Sequence, residues 1–337
     1  MDWFERLTGF REAAYAETQK KLELDGRLLT SLVNGQRYGI GELELASLAE
    51  LRARVAAGPG LSGRLTLRVV KGDVRQLHQA PEYVDALFQV ASQFNLLEMT
   101  SPEVTPEMGV TRYQHDPTQG PACAIAAGAA TLYRNYFVQV GESFGQTGTR
   151  QLDGLADLGA ALSDRLGQPV GALWAMRNGY AMCSQTGLNS ITRCLGALAP
   201  EKLDHLRGTL RIGIHSDVEV TDAEGSQRPT VSQAFCSALP VAYSRLPSTV
   251  WQAFARLVLE AAYEATIWAA VLNAQRGSSN ILLLTRLGGG AFGNDGSWIT
   301  DALARALRLA AGFELDVRLV QNRSVDPAMI RWVKEFS

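Results

Sequence analysis

The sequence predicts a three-layer α/β sandwich, a mixed sheet with helices on both faces, preceded by a helical segment. Three observations carry this. From residue 64 onward, apolar runs of strand length alternate with helical patterns. One of these runs, residues 281–287, passes straight into a glycine-rich turn and then a helical pattern, the order in which open α/β sheets build ligand crevices. The first 57 residues instead carry apolar positions at helical spacing.

In chain order, Phe4, Leu7, Phe10 and Ala14, then Leu22, Leu28, Leu29 and Leu32, predict one or two amphipathic helices, and residues 43–55 predict another. Asn34-Gly35 and Gly39-Ile40-Gly41 interrupt them, and Gly58-Pro59-Gly60 marks a boundary. The expected organisation is therefore a helical segment over residues 1–60 packed on a main domain over residues 61–337. Leu65, Leu67 and Val69 alternate with Thr66 and Arg68, a half-exposed strand ending at Lys71-Gly72-Asp73. A second strand is expected over 86–94 and a helix over 122–137. Residues 151–166 and 188–198 read as helices, and 171–177 and 210–220 as strands. Residues 222–229 read as an exposed loop, 231–243 as a buried strand, and Pro247-Ser248 opens a long helix to Ala274. A strand over 315–320 closes the sheet, and a tail after Asn322 carries a short helix over 327–336.

The composition is that of an ordinary soluble protein, 46% hydrophobic and 20% charged. A net charge of −2 gives no reason to expect nucleic-acid or membrane binding. Cys123, Cys183, Cys194 and Cys236 lack metal-ligand spacing and read as reduced, buried thiols of a cytoplasmic protein; the four histidines are scattered, so no metal or cofactor site is expected. The start of the chain has no apolar signal core, and the longest apolar stretch, 250–272, is broken by Gln252, Arg256, Glu260 and Glu264.

The glycine turn carries the chemistry. Gly288, Gly289, Gly290, Gly293 and Gly296 follow the 281–287 run, and Ser297 is placed to cap a helix over 298–311. Strand, glycine loop and helix start together make an anion site, because glycines let backbone N–H groups close on a phosphate and the helix N-terminus adds partial positive charge. The Walker pattern is absent, and no acidic residue stands where a dinucleotide fold needs one.

VVKGDV, residues 69–74, followed by a strand that runs into Asn95, resembles the opening of a macrodomain, the ADP-ribose-binding fold. The resemblance covers roughly residues 61–320 and implies a macrodomain-like sandwich. It implies that Asp73, between Gly72 and Val74, hydrogen-bonds the adenine amine, and that Asn95 binds the distal ribose. The stretch Gly288, Gly289, Gly290, Ala291, Phe292, Gly293, Asn294 resembles the second phosphate loop, closest to the GAFG turn of poly(ADP-ribose) glycohydrolases, whose aromatic lies against the distal ribose. Gln119 and Gly120, at the start of the 122–137 helix, fall where the first phosphate loop belongs. The chain departs from those glycohydrolases in lacking their GGG loop and Gln-Glu-Glu triplet after the asparagine.

In their place stand Glu98, three residues after Asn95, and Asp116, in the polar loop before the helix. These are the candidate carboxylates for an oxocarbenium-like glycosidic cleavage, one assisting the leaving group and one stabilising charge or activating water. The expected function is an ADP-ribosyl hydrolase acting on a protein side chain, with arginine-linked mono-ADP-ribose favoured; the alternative is a non-catalytic ADP-ribose reader. The expected partner is ADP-ribose or an ADP-ribosylated protein, and a looser likeness to bacterial effector macrodomains would make that protein ubiquitin.

Overall fold

Two short helices open the chain, α1 (Trp3–Thr8) and α2 (Tyr15–Lys20), followed by an antiparallel three-stranded sheet of β1 (Leu22–Asp25), β2 (Leu28–Ser31) and β3 (Arg37–Gly39). The computed structural model describes residues 1–225, 227–322 and 324–336; Ser226 of the expected 222–229 loop, and Arg323 and Ser337 of the expected tail, lie outside the described residues. The helical reading of the first 57 residues thus holds at α1 and α2 but not between 22 and 47. The reason is local: Asp25-Gly26 and Asn34-Gly35 put glycines at φ 58° and 70°, and these left-handed turns fold the chain into hairpins. The helix expected over 43–55 also divides. Its first part is strand β4 (Glu42–Ser47); Ser47 then caps α3 (Leu48–Ala57) in a reciprocal capping box with Glu50.

Next come β5 (Thr66–Lys71), α4 (Val74–Gln79) and β6 (Leu87–Ala91). The single helix expected over 122–137 is two, α5 (Gln119–Ala126) and α6 (Gly128–Tyr136), broken at Ala127. Side chains supply the partners that helix continuation would otherwise supply: the Gly128 amide donates to Thr221 Oγ1 at 2.8 Å, and the Thr131 hydroxyl donates to the Ala124 carbonyl at 2.7 Å. A small hairpin, β7 (Gln139–Val140) and β8 (Ser143–Phe144), precedes α7 (Ala156–Leu166), α8 (Val170–Leu173) and the hairpin β9 (Trp174–Arg177) and β10 (Tyr180–Cys183). Then follow α9 (Gln185–Gly196), α10 (Pro200–Thr209), β11 (Arg211–Glu219), β12 (Thr230–Cys236), α11 (Ser248–Gln275), β13 (Ile281–Leu284), α12 (Gly296–Leu309), β14 (Asp316–Gln321) and α13 (Pro327–Phe336). The strand expected over 231–243 therefore stops at Cys236, and the one over 171–177 starts only at Trp174. The 151–166 helix begins at Ala156.

The central sheet is seven-stranded and mixed, in the order β4-β11-β12-β6-β13-β14-β5. The five strands from β12 to β5 run parallel; β11 runs against them, and β4, antiparallel to β11, forms the edge. The expected α/β sandwich is the observed one. Alternate residues of the buried strands enter two separate cores: Leu87, Ala234, Leu282 and Leu284 pack with α11 and α12, while Phe88, Val90, Phe235 and Leu283 pack with α4, α5 and α6. By length and composition α11 could cross a membrane, but 78% of its apolar window is buried inside the protein. On its outer side a charged network ties four helices together: Glu264 of α11, almost wholly buried, accepts from Arg52 of α3 at 2.6 Å and from Arg305 of α12, and both arginines also reach Asp204 of α10.

Candidate active site

All five parallel strands end on the same side, and a cavity of about 640 Å³ lies just beyond them. Gly72 and Asp73 follow β5, Ser92 and Gln93 follow β6, Ala238 follows β12, Thr285 and Arg286 follow β13, and Asn322 follows β14; each lines the cavity. This is the crevice that parallel open sheets provide.

At one end, Asp73 is the N-cap of α4, its carboxylate accepting the Arg75 amide at 2.8 Å. That fixes the side chain while leaving acceptor capacity, since a carboxylate has two oxygens. Arg75 is held on Asp222 by two bonds of 2.7 Å. On the buried face of α4, His78 is stacked on Phe88 at 3.8 Å, and burial pulls its pKa down to about 4, so it packs as a neutral ring.

Two backbone cradles face the middle of the cavity. The N-cap of α5, Thr118, makes no side-chain cap bond. Pro121 carries no N–H and the Ala122 amide donates to the Thr118 carbonyl at 3.4 Å, so among the described residues the Gln119 and Gly120 amides are the first-turn donors without an acceptor. Gln119 lines the cavity, but its amide group is spent on β6: Oε1 accepts from the Ala91 amide at 2.9 Å and Nε2 donates to the Gln89 carbonyl at 2.7 Å. It sets the helix against the strand. Gly120 permits the approach, because a Cβ there would sit 2.0 Å from the Ala91 carbonyl oxygen.

The second cradle is the glycine loop. Tyr263 of α11 holds its entrance, donating to the Thr285 carbonyl at 2.8 Å and accepting from the Leu287 amide at 2.9 Å. Gly288, at φ 73°, is where the loop needs glycine for its own shape: a Cβ would lie 2.5 Å from that of Ala238. Gly288, Gly290, Ala291 and Phe292 line the cavity; Gly289, Gly293 and Asn294 do not. The Gly289 amide donates to the Arg286 carbonyl at 3.0 Å, and the Asn294 side chain donates to the Leu239 carbonyl at 2.8 Å, so these residues form the turn behind the cradle. Among the described residues, the amides of Gly290, Ala291 and Phe292 have no acceptor. The cap of α12 is Asp295, which accepts from the Ser297 amide at 2.7 Å, and not Ser297 itself.

Glu98 forms part of the floor and is the site's chemically unusual group. Its residue is 1% exposed, and burial pushes its pKa up to about 7 although Arg134 acts the other way. One oxygen, Oε1, lies 3.4 Å from Arg134 Nη2; the other, Oε2, has no partner. A carboxyl with its pKa near neutrality, in a residue that lines a cavity, and with one oxygen lacking a partner is equipped for general acid chemistry. Asp116 is half-buried at the rim, its Oδ1 accepting from the Thr118 amide at 2.9 Å in an Asx turn.

Asn95 does not reach the cavity. Leu96 turns the chain at φ 63°, and Asn95 closes that turn by accepting from the Leu97 amide at 3.1 Å. Its amide nitrogen donates to Gln151, whose own amide reaches Asn178, so a chain of side-chain amides ties the 138–183 segment to the sheet behind the site. The structure therefore brings Glu98, Asp116, Gly72, Asp73, Val74, Gln119, Gly120, Gly288, Gly290, Ala291 and Phe292 together around one cavity. It leaves Asn95, Gly289, Gly293 and Asn294 outside its wall.

Tyr180, Tyr243 and Arg286 are among the lining groups that sequence reasoning missed. Tyr180 and Tyr243 surround Phe292, with ring centroids 5.2 and 5.6 Å from it, and form an aromatic wall. Tyr180 is anchored by its hydroxyl on the Met99 carbonyl at 2.6 Å. Arg286 is an exposed cation at the cavity with no ion pair among the described residues. Its position between strand and glycine run was a readable signal; nothing local marked the tyrosines. Among the described residues, no group of three His, Cys, Asp or Glu side chains gathers as a metal set.

No family model matches this sequence, and no match is found among curated proteins. Among solved structures, the chain is similar to poly(ADP-ribose) glycohydrolase from Deinococcus radiodurans in complex with ADP-ribose, at 10% identity and a TM-score of 0.42 over 87% of this chain and 92% of that one. It is also similar to the enzyme from Thermomonospora curvata, at 13% identity and a TM-score of 0.42 over 94% and 93% of the two chains. Superpositions this loose leave the use of the cavity to be argued from its own geometry.

Proposed function

We propose that the protein is an ADP-ribosyl hydrolase, binding ADP-ribose along the cavity and cleaving the bond from its distal ribose to a protein side chain. The observation that carries the reading is Glu98, a buried carboxyl raised to about 7 with one free oxygen, on the floor of a cavity that also holds two amide cradles. Asp73 accepts the adenine amine. The α5 N-terminus and the amides of Gly290, Ala291 and Phe292 take the diphosphate, with Arg286 adding charge, and Phe292 lies against the distal ribose between the tyrosines. Glu98 gives its proton to the departing side-chain atom as the bond to the ribose anomeric carbon breaks. Water adds to that carbon, and its proton passes to a carboxylate, with Asp116 stabilising the cationic ribose.

An arginine linkage fits the far end. Tyr180 is kept protonated well above its ordinary range, first by burial and the neighbouring Tyr243, then by Asp116 and Glu103, two carboxylates that bear on it. Asp116, which lines the cavity with Tyr180, supplies the negative charge that suits a guanidinium leaving group. Proteins carrying arginine-, glutamate- and serine-linked ADP-ribose, with ADP-ribosylated ubiquitin among the arginine substrates, test this: release is expected from arginine first. Binding without release from any linkage makes the protein a reader.

The adenine contact has its own test. Asp73→Asn keeps the α4 cap but loses the charged acceptor, and Asp73→Ala loses both. A charge-assisted hydrogen bond contributes roughly 1.5–3 kcal/mol, so calorimetry should show ADP-ribose affinity falling by about tenfold or more in Asp73→Ala. Asp73→Asn should fall between it and wild type. Equal affinities in all three proteins remove Asp73 from the site.

A further inference from the structure

Among the described residues, Arg134 is the largest charged group with no exposure at all, and nothing in binding ADP-ribose requires it. It lies on α6, directly behind Glu98. Its guanidinium plane covers Phe235, 3.9 Å from the ring centroid. Nε donates to the Leu96 carbonyl at 3.0 Å and Nη2 to Thr131 Oγ1 at 3.0 Å. Nη1 lies 3.3 Å from His215 Nδ1. A guanidinium only donates, so Nδ1 must accept, which requires a neutral His215. Burial, and then the charge of Arg134 itself, hold that imidazole well below its ordinary pKa, in agreement. Three acceptors and an aromatic face thus fix the cation before Glu98 is considered.

We propose that Arg134 is a positioning residue for the reaction: it pins Glu98 by Oε1 and leaves Oε2 as the oxygen that carries and delivers the proton. Glu98 contains one torsion that would exchange its two oxygens and two more that would swing the carboxyl away. A single fixed donor on Oε1 removes that freedom, and the unpartnered Oε2 is the complementary half of the same arrangement. The other titratable groups around the carboxyl are Tyr113 from the turn before α5 and Cys123 from α5, with Glu12 bearing on Tyr113 and His215 behind Arg134. Burial keeps Tyr113 and Cys123 protonated far above their ordinary values, and Tyr113 uses its oxygen to accept the Glu98 amide at 3.2 Å. Arg134 is therefore the cation in contact with Glu98, and its removal has a defined sign. Without it the carboxylate loses its counter-charge and the proton is held more tightly.

The proposal rests on Glu98 being the acid, and the experiment separates the two. In wild type, Arg134→Gln and Arg134→Lys, the protonated carboxyl band of Glu98 is titrated by infrared difference spectroscopy against Glu98→Gln, which needs no turnover, and kcat and KM for ADP-ribose release are followed against pH. Losing an adjacent opposite charge is expected to move the Glu98 midpoint upward by about one unit or more in Arg134→Gln. The alkaline limb of kcat should move with it, with kcat down at least about tenfold and KM little changed, as for a group acting on chemistry and not on binding. Arg134→Lys keeps the charge but not the fork, and should hold the midpoint while kcat falls. An unmoved midpoint in Arg134→Gln overturns the proposal; should that variant not fold, Arg134→Lys decides, and a raised KM at unchanged kcat overturns it. A moved midpoint in a protein without turnover leaves Arg134 as the group that holds Glu98 and sinks the hydrolase reading instead.

Discussion

Glu98→Gln is expected to lower ADP-ribose release from its protein substrate by about 10²–10⁴-fold, the usual contribution of a positioned general acid, while ADP-ribose binds nearly as tightly as to wild type. Glutamine keeps the volume of the side chain and an oxygen for Arg134, and removes only the proton that can be delivered. Because the wild-type pKa is raised to about 7, the acid form predominates below neutral pH, and activity should fall as pH rises through that value. The same shift has a stability signature. Between the unfolded value of 4.5 and the folded value near 7, the native protein binds more protons than the unfolded chain. Its stability therefore declines across this window as pH rises, and Glu98→Gln should flatten that decline. Asp116→Asn is the companion measurement. A large loss there assigns Asp116 to the reaction; a wild-type rate leaves it the turn residue that its Asx bond to Thr118 makes it. Full turnover in Glu98→Gln removes the acid from the mechanism.

What the sequence shows and hides in this protein follows from the range of the interactions involved. The β13, glycine loop and α12 unit was legible because strand, turn and helix signals all lie within one short stretch, as was α11 from its apolar length. The strands between 22 and 47 were not, because Leu22, Leu28, Leu29 and Leu32 satisfy a helical spacing as readily as two short strands. The arbitrating signal was in the turns, Asp25-Gly26 and Asn34-Gly35, whose left-handed glycines close hairpins. At the site, Asp73 and the 288–292 loop could be placed because they lie within a few residues of the ends of their strands. Asn95 could not, because a single positive-φ residue, Leu96, decides which way its side chain faces. The position of Glu98 near the site was readable, but its raised pKa was not. That comes from its burial, which outweighs the opposing charge of Arg134, and no local pattern records such an enclosure. The aromatic wall is the extreme case, assembled from Tyr180, Tyr243 and Phe292 on three distant segments.

Gly290→Glu should abolish measurable ADP-ribose binding without unfolding the protein. Two glycines of the same loop make the reasoning clear by contrast. Gly288 sits at φ 73° with Ala238 and Asn294 closing on its Cβ position, so any side chain there strains the fold itself. Gly290 has neither constraint: its φ lies outside the left-handed region, and a Cβ would meet nothing within 4 Å. Gly290 itself lines the cavity, in the loop where, among the described residues, the amides of Gly290, Ala291 and Phe292 have no acceptor. A glutamate there places a carboxylate against the same donors and beside Arg286, where it occupies the anion cradle and repels a diphosphate. Like charges brought together in this way cost several kcal/mol, so affinity should fall by at least about 100-fold. Gly290→Ala, adding a methyl without charge, should bind within a few-fold of wild type. Calorimetry with ADP-ribose reads the affinity, and thermal unfolding checks that both variants keep the wild-type Tm. A Gly288→Ala variant should show the opposite pattern, a lowered Tm, because its strain is present with or without ligand. Undiminished binding by Gly290→Glu would reduce the loop to a connection between β13 and α12 and move the diphosphate elsewhere.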